Sequence, residues 1–473
     1  WKTCQENGIL GTCLLITKGI AVYFAISSQK GAKLFCPALF FKAEKCMRRN
    51  FVLNQRQVIK MVFEIPQKVE MIINILEKAG YEAYAVGGCV RDSIMGLTPN
   101  DWDITTSALP SDIKEYFNKT IDTGIEHGTV TVMLHNVGYE VTTYRIDGEY
   151  KDGRHPSSVE FSDRLTDDLC RRDFTINAMA YNNVTGLVDE YGGIEDINNR
   201  IIKCVGNPIE RFTEDALRMM RAIRFSAQLG FTIEADTFKA IEKLNRNIDK
   251  VSMERVCVEL KKTLLSDNPD YCSLYATTGL FNNILPVIAD NLTGRYAKKL
   301  LLTCKYTDNE LPLRLAAILF VCSPDEARTA LRNLRMDNKT IDTVVKILTY
   351  APLHIDETEP AVREALHQCG RDIFMLVIIL QRASIKASEE ITFISNPAKY
   401  NHLNKLQRMA DDILERGDCF TIKDLDITGV DLIEYGLKGA EIGNTLNTLL
   451  DIVIENPKLN DKATLIALLD NLK

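Results

Sequence analysis

The chain has 473 residues, enough for roughly two to four domains, and its 46% hydrophobic and 26% charged content excludes a disordered or fibrous protein. The net charge of −7 is unevenly spread: residues 1–60 carry ten Lys or Arg against two acidic residues, so that stretch stands at +8 and the remainder at −15. An acidic body argues against broad non-specific nucleic-acid binding, while leaving room for a local basic groove.

Residues 1–60 show no sustained period of 2 or 3.6. The apolar run from Ile9 to Ile26 is broken by Lys18 and is too polar to span a membrane. Ordered patterning begins just after Met61, so residues 1–60 are expected to be a non-native or upstream-translated extension, with Met61 as the natural start. From Ile65 to Ala79, apolar residues recur at helical spacing (Val69, Ile72, Ile73, Leu76) and Gly80 supplies the stop. YEAYAVGG (81–88) reads as a strand running into a glycine turn, VRDSIMG (90–96) as a short helix, and DWDIT (101–105) as a second strand. SALPSDIKEYFNK (107–119) reads as a helix capped by Ser111, and GTVTVMLHNVGYEVTTYRI (128–146) as two strands joined at HNVG. Together they predict a mixed α/β domain of about 130 residues. After Tyr191 the strand signals fade. ERFTEDALRMMRAIRFSAQLG (210–230) predicts one strong helix closed by Gly230, and TFKAIEKLNRNIDK (237–250) and SMERVCVELKKTLLS (252–266) predict two more. The remainder reads as helices broken near Asn268–Pro269, Pro286, Pro324, Pro352 and Pro397.

Asp101 and Asp103 flank Trp102 on the strand read at DWDIT. Alternate strand residues face the same way, so both carboxylates converge. Such oxygen ligands suit Mg²⁺, which binds one or two carboxylates together with substrate phosphates. D-x-D alone also describes a solvated strand face, and its context decides. Gly87 and Gly88 follow the apolar AYAV and permit close backbone approach to a phosphate chain. Arg91 lies on the next turn and neutralises a triphosphate. Strand, glycine turn, arginine and carboxylate strand compose one nucleotide site. In LCRRDFTINAMAYN (169–182), Arg172 is placed on the nucleotide and Asp173 in the local structure.

In EDALRMMRAIRF (214–225), Asp215, Arg218, Arg221 and Arg224 recur every three residues, beside an apolar stripe of Leu217, Met220 and Ile223. An amphipathic helix with salt-bridged charges accounts for that pattern. The Asp215–Arg218 pair supports a sharper reading, because Asp only accepts and Arg only donates. Cytosine and adenine each offer an amino donor beside a ring-nitrogen acceptor. Uracil and guanine offer a carbonyl beside an N–H. One such pair accepts C and A and refuses U and G without a template. Thirteen cysteines without a C-x-x-C pair, and six histidines at no ligand spacing from them, argue against zinc and for reduced thiols in a cytoplasmic protein.

In GGCVRD with DWD, RRDFTINAMAY and EDALRMMRAIRF, in that order and spacing, the chain resembles the class II tRNA nucleotidyltransferases, the CCA-adding enzymes of the polymerase-β-like nucleotidyltransferase superfamily. The resemblance covers residues 61–265 closely and the helical C-terminal half more loosely. It implies an α+β fold, a mixed-sheet nucleotidyltransferase head followed by an elongated all-helical neck, body and tail. The expected divisions are a head over 61–198, a neck over 199–265, a body over 266–350 and a tRNA-binding tail over 351–473. It also implies Mg²⁺ on Asp101 and Asp103 as the catalytic pair. Gly88, Arg91 and Arg172 become nucleotide contacts, Asp215 and Arg218 the base-selecting pair, and Arg221 and Arg224 contributors to the incoming-nucleotide site. Trp102 stands where Phe is frequent in the family, and Cys89 where Ala is. The third carboxylate typical of the superfamily is not assignable, with Glu160 and Asp168 as the candidates.

The implied activity is template-independent addition of CCA to the tRNA 3′ end from CTP and ATP, by two-metal nucleotidyl transfer with release of pyrophosphate. The implied protein is cytoplasmic, a monomer or homodimer, with no membrane partner. A poly(A) polymerase shares the head and neck motifs, and a partial enzyme adds only CC or only A. RIDGEYKDGRHPSSVEF (145–161) looks like the flexible loop that full CCA-adding enzymes keep and CC-only enzymes lack or shorten. A non-catalytic RNA-binding protein with a dead head is the reading from another class, and intact Asp101, Asp103 and Arg91 oppose it. DLIEYGLKGAEIGNTLNTLLDIVIENP (431–457) resembles the family's C-terminal end, where Lys438 and Gly439 precede a helix start able to meet an RNA backbone. A turn before a core-packing helix accounts for it equally.

Overall fold

The computed structural model describes residues 12–17, 20–25, 64–148 and 159–471. The chain divides into two compact units, Trp1–Met61 and Val62–Lys473. In the first, β1 (Thr12–Thr17) and β2 (Ile20–Ala25) form an antiparallel hairpin. The expectation of an extension ending before Met61 otherwise falls outside the described residues, as does most of the 145–161 loop.

The second unit opens on α1 (Gln67–Lys78), with Val69, Ile72, Ile73 and Leu76 buried as their spacing predicts. There follow β3 (Ala83–Val86), α2 (Gly88–Ile94), β4 (Asp103–Thr106), α3 (Pro110–Tyr116), β5 (Thr120–Gly124), β6 (Thr129–Leu134), β7 (Val137–Thr143) and β8 (Arg145–Asp147). Then come β9 (Val159–Phe161), α4 (Leu165–Cys170), β10 (Ala180–Asn182), β11 (Gly186–Val188), α5 (Gly193–Asn199) and β12 (Ile201–Ile202). Seven of these strands form one mixed sheet in the order β11-β10-β3-β4-β7-β6-β5, and only the β4–β7 pair is parallel. β6 and β7 turn at His135 and Asn136, both at positive φ, the backbone that a tight two-residue hairpin needs.

Register positions the site. The antiparallel pair Val86↔Asp103 sets the end of β3 beside the start of β4, and the parallel pair Ile104↔Val141 brings Glu140 level with Asp103. Asp101 was expected on this strand, but β4 begins at Asp103. β3 ends at Val86 and its chain turns away at Gly87, φ +84, so residues before Asp103 find no ladder partner there. Ser111 does not cap α3. Leu109 holds the N-cap position, Pro110 starts the helix, and Ser111 lies inside its first turn.

Beyond β12 the chain is helical apart from β13 (Thr232–Ile233), which pairs with β12 in parallel. The leading helices are α6 (Pro208–Glu214), α7 (Leu217–Leu229), α8 (Ala235–Leu244) and α9 (Met253–Leu264). The single helix expected over 210–230 is therefore two. Asp215 is extended (φ −135, ψ 105), and its Oδ1 accepts from Leu217 N at 3.0 Å. An aspartate that bonds the backbone just ahead of it restarts a helix rather than continuing one. Pro269, Pro286, Pro324 and Pro397 each open a helical segment, as their restricted φ favours. One apolar core runs from Val69 to Ile413, and a second joins Cys419 to Leu469.

α7 is anchored to α9 by a buried ion pair. Arg224 is 7% exposed, and its Nε lies 2.6 Å from Glu259 Oε2. Burial pulls the Arg224 pKa below its ordinary value, with Glu259 opposing. Removing the anion strands a buried cation, so Glu259→Ala is expected to cost about 3–5 kcal/mol in urea unfolding. A loss below about 1 kcal/mol would put the pair in the class of solvated surface bridges and refute that role.

Candidate active site

The β3–α2 turn is built for close approach. Gly87 sits at φ +84, and a Cβ placed there would meet the Arg172 guanidinium at 3.1 Å. The positive φ favours glycine, and a side chain there would also press on the Arg172 guanidinium. A Cβ on Gly88 would lie 3.7 Å from the Arg91 guanidinium. Two arginines therefore border this turn, one from α2 and one from the 170–173 segment. Arg91 is buried; its NH1 donates to Asn177 Oδ1 at 2.7 Å, and its Nε and NH2 donate to Asp92 Oδ1. Arg172 donates to Asp168 Oδ2 at 2.9 Å.

Asp103 stands opposite Val86, one residue before the glycine turn, with Asp101 just upstream. Both carboxylates are solvent-exposed, and among the described residues neither is held in an ion pair. Desolvation by the surrounding protein raises the Asp103 pKa above the ordinary carboxylate value, Glu140 and Asp101 add to this, and Arg172 opposes it. Two neighbouring carboxylates with no ion-pair partner among the described residues fit a divalent cation. Among the described residues no three carboxylate, imidazole or thiol side chains converge on one point.

Glu140 is the carboxylate that the sequence reading missed. It lies on β7 level with Asp103 and acts on its charge. The two candidates for a third carboxylate are placed elsewhere. Glu160 is exposed on β9, paired with β8 outside the main sheet. Asp168 is fully buried between Arg171, Arg172 and Thr105 Oγ1, and despite its burial those arginines hold its pKa below the ordinary value. Cys89 beside the turn is inert, because burial lifts its thiol to about 11.

The α6–α7 break packs on the same 170–173 segment. Arg218 NH2 donates to the Arg171 carbonyl at 3.0 Å, and its NH1 meets Glu214 Oε2 at 2.7 Å. Asp215 Oδ2 accepts from Arg255 at 2.9 Å. Arg221 donates twice to Asp173 Oδ2, at 2.8 and 2.6 Å. Burial opposes ionisation of Asp173, yet Arg221 and Asn177 carry its pKa down to about 2. The structure thus gathers Gly88, Arg91, Asp103 and Arg172 at one sheet end and ties Arg218 and Arg221 to the same segment. Arg224 faces inward on Glu259.

The sheet-bearing part, residues 83–203, matches the poly(A) polymerase head domain. Residues 230–292 match a segment described as the "probable RNA and SrmB-binding site of polymerase A", and residues 308–469 match tRNA nucleotidyltransferase domain 2. The chain is 38% identical over 415 residues to the CCA-adding enzyme of Ligilactobacillus salivarius, covering 86% of this chain and 97% of that protein. The chain belongs to the CCA-adding enzyme family of tRNA nucleotidyltransferases. The CCA-adding enzyme of Limosilactobacillus reuteri is 50% identical over 211 residues, 45% of this chain and 52% of that protein. Among solved structures, that of the Bacillus stearothermophilus CCA-adding enzyme in complex with CTP aligns with a TM-score of 0.67 at 33% identity, covering 86% of this chain and 97% of that one. Family membership makes this chain a nucleotidyltransferase and accords with its mixed-sheet head and helical remainder. No helix among the described residues is long and apolar enough to cross a membrane.

Proposed function

We propose that this CCA-adding family member completes the whole CCA end of tRNA, using CTP and then ATP. The observation that carries the reading is the register Val86↔Asp103, which sets the Asp103 carboxylate, with Asp101 close enough to act on its charge, beside a glycine turn bordered by two arginines. Likeness to a CCA-adding enzyme solved with CTP, and to relatives of that name across nearly their full length, supports it. The RNA 3′-hydroxyl attacks the α-phosphorus, a new O–P bond forms, the bond to the β-phosphate oxygen breaks, and pyrophosphate leaves. The hydroxyl proton is lost to solvent. Asp101 and Asp103 would hold Mg²⁺, with Glu140 shaping the local charge. Mg²⁺ held by these carboxylates would supply charge neutralisation to the phosphate transfer. Gly88 admits the phosphate chain, and Arg91 and Arg172 neutralise it. Asp215 and Arg218 select the base, while Arg221 and Arg224 support the α7 side of the pocket. Little covalent work falls to the protein, which chiefly positions the reactants.

The test uses a tRNA transcript ending at its discriminator base, with Mg²⁺ and each nucleoside triphosphate singly, then CTP with ATP, resolved on a sequencing gel. Extension by CCA and no further, with UTP and GTP refused, is the expected result. Arrest after CC, addition of A only to CC-ended tRNA, or a long A-tail would each replace the proposal with the corresponding narrower or different polymerase.

A pH dependence follows from Asp103. Its carboxyl must lose a proton to bind the ion, and its pKa is raised. The Mg²⁺ concentration giving half-maximal extension should therefore rise as pH falls, starting above the ordinary aspartate value of about 3.9. In metal-free protein, Glu140→Gln removes a like charge and should move the Asp103 carboxyl NMR titration to lower pH. An unmoved titration would show that Glu140 does not act on Asp103.

A further inference from the structure

Phe225 of α7 is 6% exposed and lies edge-on to Phe174, with ring centroids 5.8 Å apart at 81°. Three guanidinium carbons lie over this one ring: Arg224 at 3.8 Å, Arg91 at 5.2 Å and Arg221 at 5.3 Å. Each cation has its own anion, Arg91 in Asp92, Arg221 in Asp173 and Arg224 in Glu259, so three positive charges are tolerated at close quarters. The negative face of the ring adds attraction within about 6 Å.

Two of the three arginines belong to α7 itself. Arg91 does not: it comes from α2, at the glycine turn. Its hydrogen-bond partners are Asp92, on α2 itself, and Asn177, neither of them on α7. Phe225 instead belongs to the helix that begins just after Asp215 and includes Arg218. A polar chain runs alongside: Asn177 Nδ2 donates to Asp173 Oδ1 at 3.2 Å, and Asp173 in turn accepts from Arg221. The ring therefore closes a loop from the glycine turn to α7 and back.

We propose that Phe225 is a positioning residue for nucleotide binding, its ring fixing Arg91 in the phosphate turn relative to the helix that carries base selection. The inference rests on the reading of Arg91 as a phosphate contact. Its consequence is that the two ends of the nucleotide are read by groups registered on one support. A base that seats correctly against α7 then finds the phosphate-binding arginine already aligned.

The test compares Phe225→Leu, which stays apolar but has no π face, with Phe225→Tyr, which keeps the ring. Steady-state constants are measured for CTP on tRNA lacking CCA, for ATP on tRNA ending in CC, and for both tRNAs. Phe225→Leu should raise KM for both nucleotides about three- to tenfold, with KM for tRNA unchanged, while Phe225→Tyr stays within about twofold of the unmodified protein. In an Arg91→Ala background, adding Phe225→Leu should change the nucleotide KM by less than about twofold, because the partner is gone. A nucleotide KM untouched by Phe225→Leu, with only a lower melting temperature, overturns the proposal and leaves Phe225 as core packing. An equal rise in KM for tRNA overturns it too. If Arg91→Ala raises the nucleotide KM but the two substitutions add in full, this inference fails and the reading of Arg91 stands. If Arg91→Ala alone leaves the nucleotide KM unchanged, that reading fails and takes this one with it.

Discussion

Asp103→Ala is expected to lower single-turnover tRNA extension by about a thousandfold or more, since metal charge neutralisation is worth several kcal/mol at about 1.4 kcal/mol per decade. The fold should not suffer. Asp103 is exposed, and among the described residues no cation depends on it, so its removal leaves no stranded partner. Its raised pKa gives the sign: the folded protein disfavours the ionised carboxyl, with Glu140 and Asp101 nearby. Taking the charge away should leave the melting temperature unchanged or slightly higher. A site that costs stability until it is occupied is a common compromise between folding and function. Mg²⁺ with CTP should stabilise the unmodified protein against heat and do much less for the variant. Extension at near-normal rate in Asp103→Ala would refute the metal role outright. A variant that melts far lower would show instead that Asp103 is structural.

The placing of Asp103 beside the glycine turn was legible because its signals are local, whereas the strand expected to carry Asp101 as well begins only at Asp103. An apolar strand, two glycines, an arginine and D-x-D all fall within residues 83–103, and the hairpin-like register of β3 and β4 keeps them together. Glu140 was not legible. It reaches Asp103 only because β4 and β7 pair in parallel across an intervening helix and two strands, and no residue of VGYEVTT announces that pairing. A glutamate on an otherwise apolar–threonine strand was the one available hint. Asp168 looked like a ligand from its type, but two following arginines are the sequence mark of a carboxylate already neutralised. The break at Asp215 was hidden by an unbroken helical period on either side. Asp is a poor helix-interior residue and a good helix starter, and that preference overrides the period here. Residues 149–158, which make up much of the loop read over 145–161, lie outside what the structure describes.

That break is also where the second large effect is expected. A residue inside a helix points its side chain along the helix face, whereas an extended residue between two helices is free to point elsewhere. Asp215 has that freedom, and its carboxylate is then fixed by Arg255 at 2.9 Å and by Leu217 N at 3.0 Å. Arg218 is fixed by Glu214 and by the Arg171 carbonyl, which leaves its Nε–H without a partner among the described residues. On the proposed reading, one group that only accepts and one that only donates would be held in place before a base arrives, so little ordering cost would fall on binding. Under that reading, cytosine and adenine present the complementary edge, and uracil and guanine present an acceptor where Asp215 would need a donor. Asp215→Ala should reduce kcat/KM for CTP and ATP, and narrow discrimination against UTP and GTP by about 1–3 kcal/mol, roughly 5- to 150-fold. Arg255→Leu should act in the same direction but less, because it frees the carboxylate without deleting it. The dependence on Mg²⁺ should not move in either variant. Discrimination that survives Asp215→Ala would place base selection elsewhere on the chain and reduce the Asp215–Arg255 pair to a brace between the α6–α7 break and α9.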